Sequence, residues 1–304
     1  MKFKIDYPVS ADHDRDWMTP ASMARFVQAV EEMGFDGLGF TDHPAPSAKW
    51  LDHGGHATLD PFSALGFCAA VTDRITLFTH LLVVPYRNPL LQASAMASVD
   101  VLSGGRSIFV LGAGYLRSEF AALGVDFEER NALFDESLDV VTRYSRGETF
   151  SYRGRHFEAV GQRIAPRPVQ RPHAPLWIGG NSSKALDRVA AHGSGWSVMW
   201  GSATLAKTAR TRQISDIDQL AETITDLEKR VAQAGRSIDE ISISTSAPAV
   251  GPDSSHSPAR QVEQVQQLAQ LGVRWVHVAV PDGGVDDCLA RLQQFASEVM
   301  TPCR

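Results

Sequence analysis

Two histidines lie at or within short apolar runs, where their side chains could do chemistry. Asp42 and His43 close the run 36–41, and His80 interrupts the run 75–84. An imidazole at a strand end can exchange protons, and a neighbouring carboxylate can set its tautomer. We predict this chemistry for His43, with Asp42 as its partner. The alternatives are a helix-capping Asp42, a packed His43 and a structural His80.

Two glycine-containing segments follow other apolar runs. Gly112-Ala113-Gly114-Tyr115 lacks the third glycine of a dinucleotide fingerprint, so we expect its glycines to let a ring approach the backbone. Gly179-Gly180-Asn181-Ser182 opens a predicted helix. Backbone amides at a helix N-terminus form a site for anions, so this second segment predicts phosphate binding.

The spacing of the other candidate ligands argues against a metal. No HxH, HExxH or CxxC spacing occurs, and the three cysteines are scattered. We therefore predict neither a metal site nor a disulfide framework. The residues considered are His43, His53, His56 and His80, with Cys68, Cys288 and Cys303.

Eight β-type runs alternate with amphipathic helical patterns along the chain. Predicted strands are 3–7 (ended by Pro8), 36–41, 75–84, 107–111, 176–178, 196–199, 241–245 and 275–280. Predicted helices include 20–33, 61–70, 89–102, 182–191, 217–234, 258–271 and 285–299. This alternation favours an α/β fold, a (β/α)8 TIM barrel, over an open doubly wound sheet.

Segment 147–175 breaks the repeat. We predict a small hairpin, turning at Arg153-Gly154, inserted after the fourth helix. It is too short for a domain, so 1–304 is expected to form one barrel domain. The polar segment 201–215 is predicted to be an active-site loop whose basic residues are Lys207, Arg210 and Arg212.

The composition of the chain argues against nucleic-acid and membrane partners. A net charge of -6 gives no basic footprint for nucleic acid. The sequence has no apolar run of about 18 residues and no signal-peptide pattern, which predicts a cytoplasmic protein without a membrane partner.

In combination, these segments resemble the luciferase-like monooxygenase superfamily of bacterial flavin and deazaflavin enzymes, and within it the class that uses coenzyme F420. The likeness runs in order from about residue 30 to residue 200. Matching stretches include Gly34-Phe35-Asp36-Gly37, Thr41-Asp42-His43, Asn88-Pro89, Leu102-Ser103-Gly104-Gly105-Arg106, Gly112-Ala113-Gly114-Tyr115, Glu119-Phe120 and Trp177-Ile178-Gly179-Gly180-Asn181.

The resemblance implies a cofactor ring across the barrel mouth, resting on a bulge with a cis His80–Leu81 peptide. It implies that His43 contacts the ring region and that the phosphate lies near Gly179. Some sugar-phosphate dehydrogenases of the family carry an acidic residue where Tyr115 stands, so that substrate class is in doubt. The predicted cofactor-binding residues are Asp42, His43, Thr79, His80, Leu81, Gly112, Gly114, Gly179, Gly180, Asn181 and Ser182.

The expected activity is hydride transfer between F420 and a small organic substrate. His43, with Tyr115, would supply or take a proton. The main alternative is an FMN-dependent monooxygenase that uses oxygen and a separate reductase. A non-catalytic flavin-binding paralogue and a metal-dependent barrel hydrolase remain as further alternatives. We expect a homo-oligomer.

Overall fold

The computed structural model describes residues 1–7, 17–247 and 249–304, and only the backbone of Leu205. The predicted strand end at Pro8 lies outside these residues. The strands are β1 (Lys2–Asp6), β2 (Gly37–Phe40), β3 (Thr76–Val83), β4 (Ser107–Gly112), β5 (Phe150–Arg153), β6 (Glu158–Gln162), β7 (Leu176–Gly179), β8 (Gly195–Ser197), β9 (Ser242–Ser246) and β10 (Val273–Val278).

The helices are α1 (Pro20–Glu32), α2 (Ala48–Leu51), α3 (Pro61–Val71), α4 (Pro89–Leu102), α5 (Arg117–Ala122), α6 (Arg130–Tyr144), α7 (Ser183–His192), α8 (Ala203–Ala209), α9 (Ile217–Gln233), α10 (Pro258–Gln270) and α11 (Val285–Phe295). Thr19 caps α1 by accepting a hydrogen bond from the Ser22 backbone, and Pro20 occupies the first turn. None of the described helices is long and apolar enough to cross a membrane.

The eight strands β1–β4 and β7–β10 form a closed parallel barrel, which confirms the predicted TIM barrel. β1 closes the ring by pairing with both β2 and β10. The β3–β4 register shifts between Thr79 and Leu82, which places a bulge at the predicted position. The carboxyl ends of all eight strands therefore meet at one face, where this fold builds its sites.

The barrel interior contains an apolar layer built only from strand residues. Phe78, Val110, Trp177 and Trp275 pack together, with ring centroids 5.1 Å apart for Phe78 and Trp275. This cluster is separate from the larger core between strands and helices. These strand residues thus fill part of the barrel interior with apolar side chains.

The predicted insertion is a hairpin of β5 and β6, which follows α6. Glu136 of α6 holds its turn by accepting hydrogen bonds from the backbone N–H groups of His156 and Phe157, at 3.0 and 3.1 Å. The sequence reading gave no bounds for α6 and missed α2, α5 and α8. Those three are short, so periodicity alone gives little signal for them.

Candidate active site

A pocket of about 550 Å³ opens at the carboxyl ends of the strands. Its volume is within the range of small-molecule sites. All but two of the residues predicted from the sequence line it. Thr79 is fully buried behind the wall, where its hydroxyl donates to the Val110 carbonyl, and Asn181 also lies outside the lining.

His43 pairs with Glu119, a carboxylate to which the sequence alone assigned no role. His43 Nδ1 lies 3.0 Å from Glu119 Oε2, and Glu119 is fully buried on α5. The Ala45 N–H and the Tyr86 hydroxyl also donate to Glu119, at 3.2 and 3.0 Å. Because these donors satisfy a carboxylate, the arrangement favours a proton on His43 Nδ1, which leaves Nε2 as an acceptor.

Burial, followed by the charge of Glu119, raises the pKa of Tyr86 well above its ordinary value. Tyr86 is therefore a permanent donor to Glu119 and not a proton-transfer group. The same two causes raise the pKa of Tyr115, whose ring centroid lies 6.2 Å from that of His43. Tyr115 lines the pocket in its neutral form, as a hydroxyl donor.

Asp42 does not partner His43, contrary to the sequence prediction. Its carboxylate binds both terminal nitrogens of Arg87, at 2.6 and 2.8 Å, and accepts from the Val83 N–H at 2.9 Å. Asp42 is only 1% exposed. It fixes the end of β2 against β3, so it positions the strand that carries His43.

An aromatic wall surrounds His43. Trp50 lies 4.6 Å away and His56 5.0 Å away, centroid to centroid. His56 Nε2 is 3.0 Å from the Thr41 hydroxyl. Burial, followed by the charge of His43, lowers the pKa of His56 to about 4. His56 is thus a neutral member of the site at physiological pH.

We expect His56 to make the protein acid-sensitive. In the unfolded chain His56 has its ordinary pKa of 6.5, whereas in the folded protein its pKa is about 4. Stability is therefore lost as pH falls from 6.5 towards 4, by up to about 1.4 kcal/mol per pH unit for this group. Urea unfolding at several pH values should show a shallower decline for His56→Gln than for the wild type. The exposed His53→Gln is the control, and equal slopes in all three proteins would contradict this assignment.

The bulge of β3 forms a shelf in the pocket. The His80–Leu81 peptide is cis, at the predicted bond. A Cβ at Gly112 would lie 2.3 Å from a Leu81 methyl carbon, and one at Gly179 would lie 2.6 Å from the other. A side chain at either position would therefore displace Leu81 from its present place between the two glycines.

The glycine segment after β7 meets the N-terminus of α7. Gly180 has φ +95°, and Ser182 caps the helix by accepting from the Ala185 N–H. Asn181 is committed elsewhere, since its amide nitrogen donates to the Met199 and Arg212 carbonyls. We assign Asn181 a positioning role, holding the 199–212 segment beside the pocket.

A basic rim borders the pocket around Phe127. The guanidinium carbons of Arg117, Arg130 and Arg210 lie 4.3, 4.0 and 5.0 Å from the Phe127 ring centroid. Burial, followed by the positive charge of Arg210, lowers the pKa of Arg130. Glu128 contacts Arg117 at 2.6 Å and Arg130 at 4.0 Å, and Arg210 has no ion pair with any described carboxylate.

The basic residues of segment 201–215 could contact a cofactor tail or form a solvated charged loop, and the structure divides them between these two positions. Arg210 lines the pocket, but Lys207 does not. Arg212 points to α9, where it lies 3.7 Å from Asp226. The segment contains α8, which the sequence did not predict.

The chain belongs to the luciferase-like monooxygenase family, whose model matches residues 1–281. That membership makes it an oxidoreductase or monooxygenase enzyme of the luciferase-like type. The resemblance inferred from the glycine and histidine motifs is thereby confirmed.

Two curated relatives illustrate the range of the family. The chain is 27% identical to an F420-dependent glucose-6-phosphate dehydrogenase of Amycolatopsis mediterranei, over 93% of this chain and 87% of that protein. It is 30% identical to the uncharacterized protein y4vJ of Sinorhizobium fredii, over 54% of this chain and 44% of that protein. The chain thus spans less than half the length of this second relative.

Two solved structures share the fold. The monooxygenase RslO1 from Streptomyces bottropensis superposes with a TM-score of 0.80 at 20% identity, covering 100% of both chains. The coenzyme F420-dependent tetrahydromethanopterin reductase of Methanopyrus kandleri gives 0.75 at 18% identity, over 100% of this chain and 99% of the other. At these identities the likeness establishes the barrel fold alone.

Proposed function

We propose that the protein transfers a hydride between a deazaflavin of the F420 type and a small organic substrate. The observation that carries this proposal is the pair of His43 and the buried Glu119, 3.0 Å apart, in a pocket that also contains a glycine shelf and a helix N-terminus. Hydride transfer requires an accompanying proton acceptor or donor. The pair supplies such a group.

The pocket has the features that a flavin-like group needs. Leu81 and its two facing glycines leave a flat surface for a ring, and the Gly180–Ser182 turn presents α7 amides to a phosphate. The first turn of α7 also carries Lys184, which lines the pocket. When bound, a deazaflavin supplies the ring carbon that accepts or returns a hydride.

The protein's own residues manage the proton. Glu119 orients His43 so that Nε2 takes the proton of a substrate hydroxyl during oxidation, or returns it during reduction. Tyr115, which lines the same pocket in its neutral form, can donate a hydrogen bond to the substrate. The sugar-phosphate relatives' acidic residue has no counterpart at Tyr115, but Glu119, four positions later, brings a carboxylate to the same histidine.

The rim of the pocket favours the deazaflavin over FMN. F420 extends beyond its phosphate into an oligoglutamyl tail, and the unpaired Arg210 beside Arg130 offers positive charge outside the phosphate turn. The relative from Amycolatopsis mediterranei also depends on F420. The second candidate, an FMN monooxygenase, is supported by the family itself and by the fold shared with RslO1. In both proposals the whole chain, with 147–175 as an insertion, acts as one domain.

A binding titration distinguishes the two cofactors. We expect the purified protein to quench deazaflavin fluorescence with a Kd at least about tenfold lower than for FMN. Arg210→Gln should weaken deazaflavin binding and reduce its salt dependence, because one tail contact is lost. Arg212→Gln is the matched control, since Arg212 faces Asp226. Tight FMN binding without deazaflavin binding would overturn the choice of cofactor.

A further inference from the structure

A second cluster of ligating side chains adjoins the pocket through His80, on strands far apart in sequence. Asp6 ends β1, His80 is on the β3 bulge and His277 is on β10. One ligating atom from each lies within 4.8 Å of the other two. Sequence spacing predicted no metal site, because the three residues are separated by more than seventy positions from one another.

The contacts within this cluster converge on one carboxylate. His80 Nδ1 is 2.6 Å from Asp6 Oδ2, and His277 Nε2 is 3.0 Å from the same oxygen. The His277 contact lacks hydrogen-bond geometry, and Asp6 Oδ1 also has no hydrogen-bond partner among the described residues. A buried carboxylate oxygen and an imidazole nitrogen are thus left without a partner in the same place, although such groups are normally paired.

We propose that Asp6, His80 and His277 bind one divalent transition-metal ion, such as Zn²⁺. Two imidazoles and one carboxylate on one side of an ion are a common donor set for such metals. Ligand atoms bound at about 2.1 Å with tetrahedral angles lie roughly 3.4 Å from one another. Metal binding would therefore widen the two contacts of Asp6 Oδ2, which are 2.6 Å to His80 and 3.0 Å to His277. All three ligands come from the protein itself, so binding of the ion does not depend on a bound cofactor.

The surroundings fit an open site. Each of the three side chains is 20–21% exposed, so the remaining coordination positions are accessible to water or to an oxygen of a ligand. Gly39 makes room, since a Cβ there would lie 2.4 Å from Asp6 Oδ1. His80 Nε2 lies 3.4 Å from the Ser197 hydroxyl, which can accept the ring's second N–H when Nδ1 binds metal.

One neighbouring charge weakens the site. The Lys4 side chain is buried beneath it, with its ammonium 5.3 Å from the Phe78 ring and no described hydrogen-bond partner. A positive charge there repels a dication. Lys4→Met, which suits the aromatic surroundings, is therefore expected to tighten metal binding about tenfold.

Metal binding to the tag-free protein without cofactor tests this site. After dialysis against Zn²⁺ or Co²⁺, elemental analysis should find about one ion per chain in the wild type and in His53→Gln, whose histidine is exposed. Asp6→Asn and His277→Gln should each lower the affinity at least about tenfold. Absence of stoichiometric binding in the wild type, or equal binding in both variants, would overturn the proposal.

Proton NMR of the Co²⁺-loaded wild type keeps the test decisive if a variant does not fold. Two hyperfine-shifted imidazole N–H signals are expected, one from each histidine ligand. Spectra with no shifted imidazole signals in a protein that retains Co²⁺ would also exclude this site. Since no deazaflavin is present, the outcome is independent of the proposed hydride transfer.

Discussion

Replacing His43 with glutamine should lower kcat by about 10²- to 10⁴-fold, because the variant loses its proton-transfer group but keeps a polar side chain of similar length. The measurement is the rate of deazaflavin absorbance change with a small alcohol or ketone that the wild type turns over. Glu119 stays buried with its Ala45 and Tyr86 donors, so the α5 segment should keep its place.

Cofactor affinity separates chemistry from binding in this variant. His43→Gln should bind deazaflavin within about threefold of the wild-type Kd, since the shelf at Leu81 and the Gly180 turn are untouched. His53→Gln, on the exposed part of the 48–55 segment, should change neither quantity. Wild-type turnover by His43→Gln would remove His43 from the mechanism.

Replacing Asp42 with alanine should cost about 3 kcal/mol of unfolding free energy. The variant leaves the Arg87 guanidinium without its bidentate partner and the Val83 N–H without an acceptor. Urea unfolding measures this loss as a lower midpoint with an unchanged slope.

The exposed pair of Arg143 and Asp139, 3.3 Å apart on α6, supplies the control. Asp139→Ala should change the unfolding free energy by less than about 0.5 kcal/mol, because solvent screens the pair. The double variant Asp42→Leu with Arg87→Met should recover part of the loss, since no buried charge remains. A loss below about 1 kcal/mol in Asp42→Ala would contradict this expectation and show that Asp60, which already accepts a hydrogen bond from Arg87 at 3.3 Å, is a sufficient partner.

The barrel was predictable because its signals are local and repeat eight times. Capping residues predicted two helices well. Helix α1 begins at Thr19-Pro20 as expected, and α4 has the predicted bounds, Pro89–Leu102. The signals for each strand and its helix lie in neighbouring residues, so hydrophobic periodicity, proline and glycine are enough to locate them.

The partners within the site were less predictable, because they depend on distances across the barrel. Asp42 stands next to His43 in sequence, but their side chains diverge at the end of β2 and Asp42 turns to Arg87. Glu119 reaches His43 from 76 positions away. Its only sequence signal was the family-like Glu119-Phe120 pair, which carried no role by itself.

Leu81, Gly112 and Gly179 come from three different strands, but the effects of substitutions at these positions should depend on one another. A methyl group at either glycine would meet the same Leu81 side chain, which would have to move. If alanine at Gly112 is damaging, a smaller residue in place of Leu81 should relieve the contact. A change in the shape of this part of the pocket wall would therefore involve Leu81 together with the two glycines.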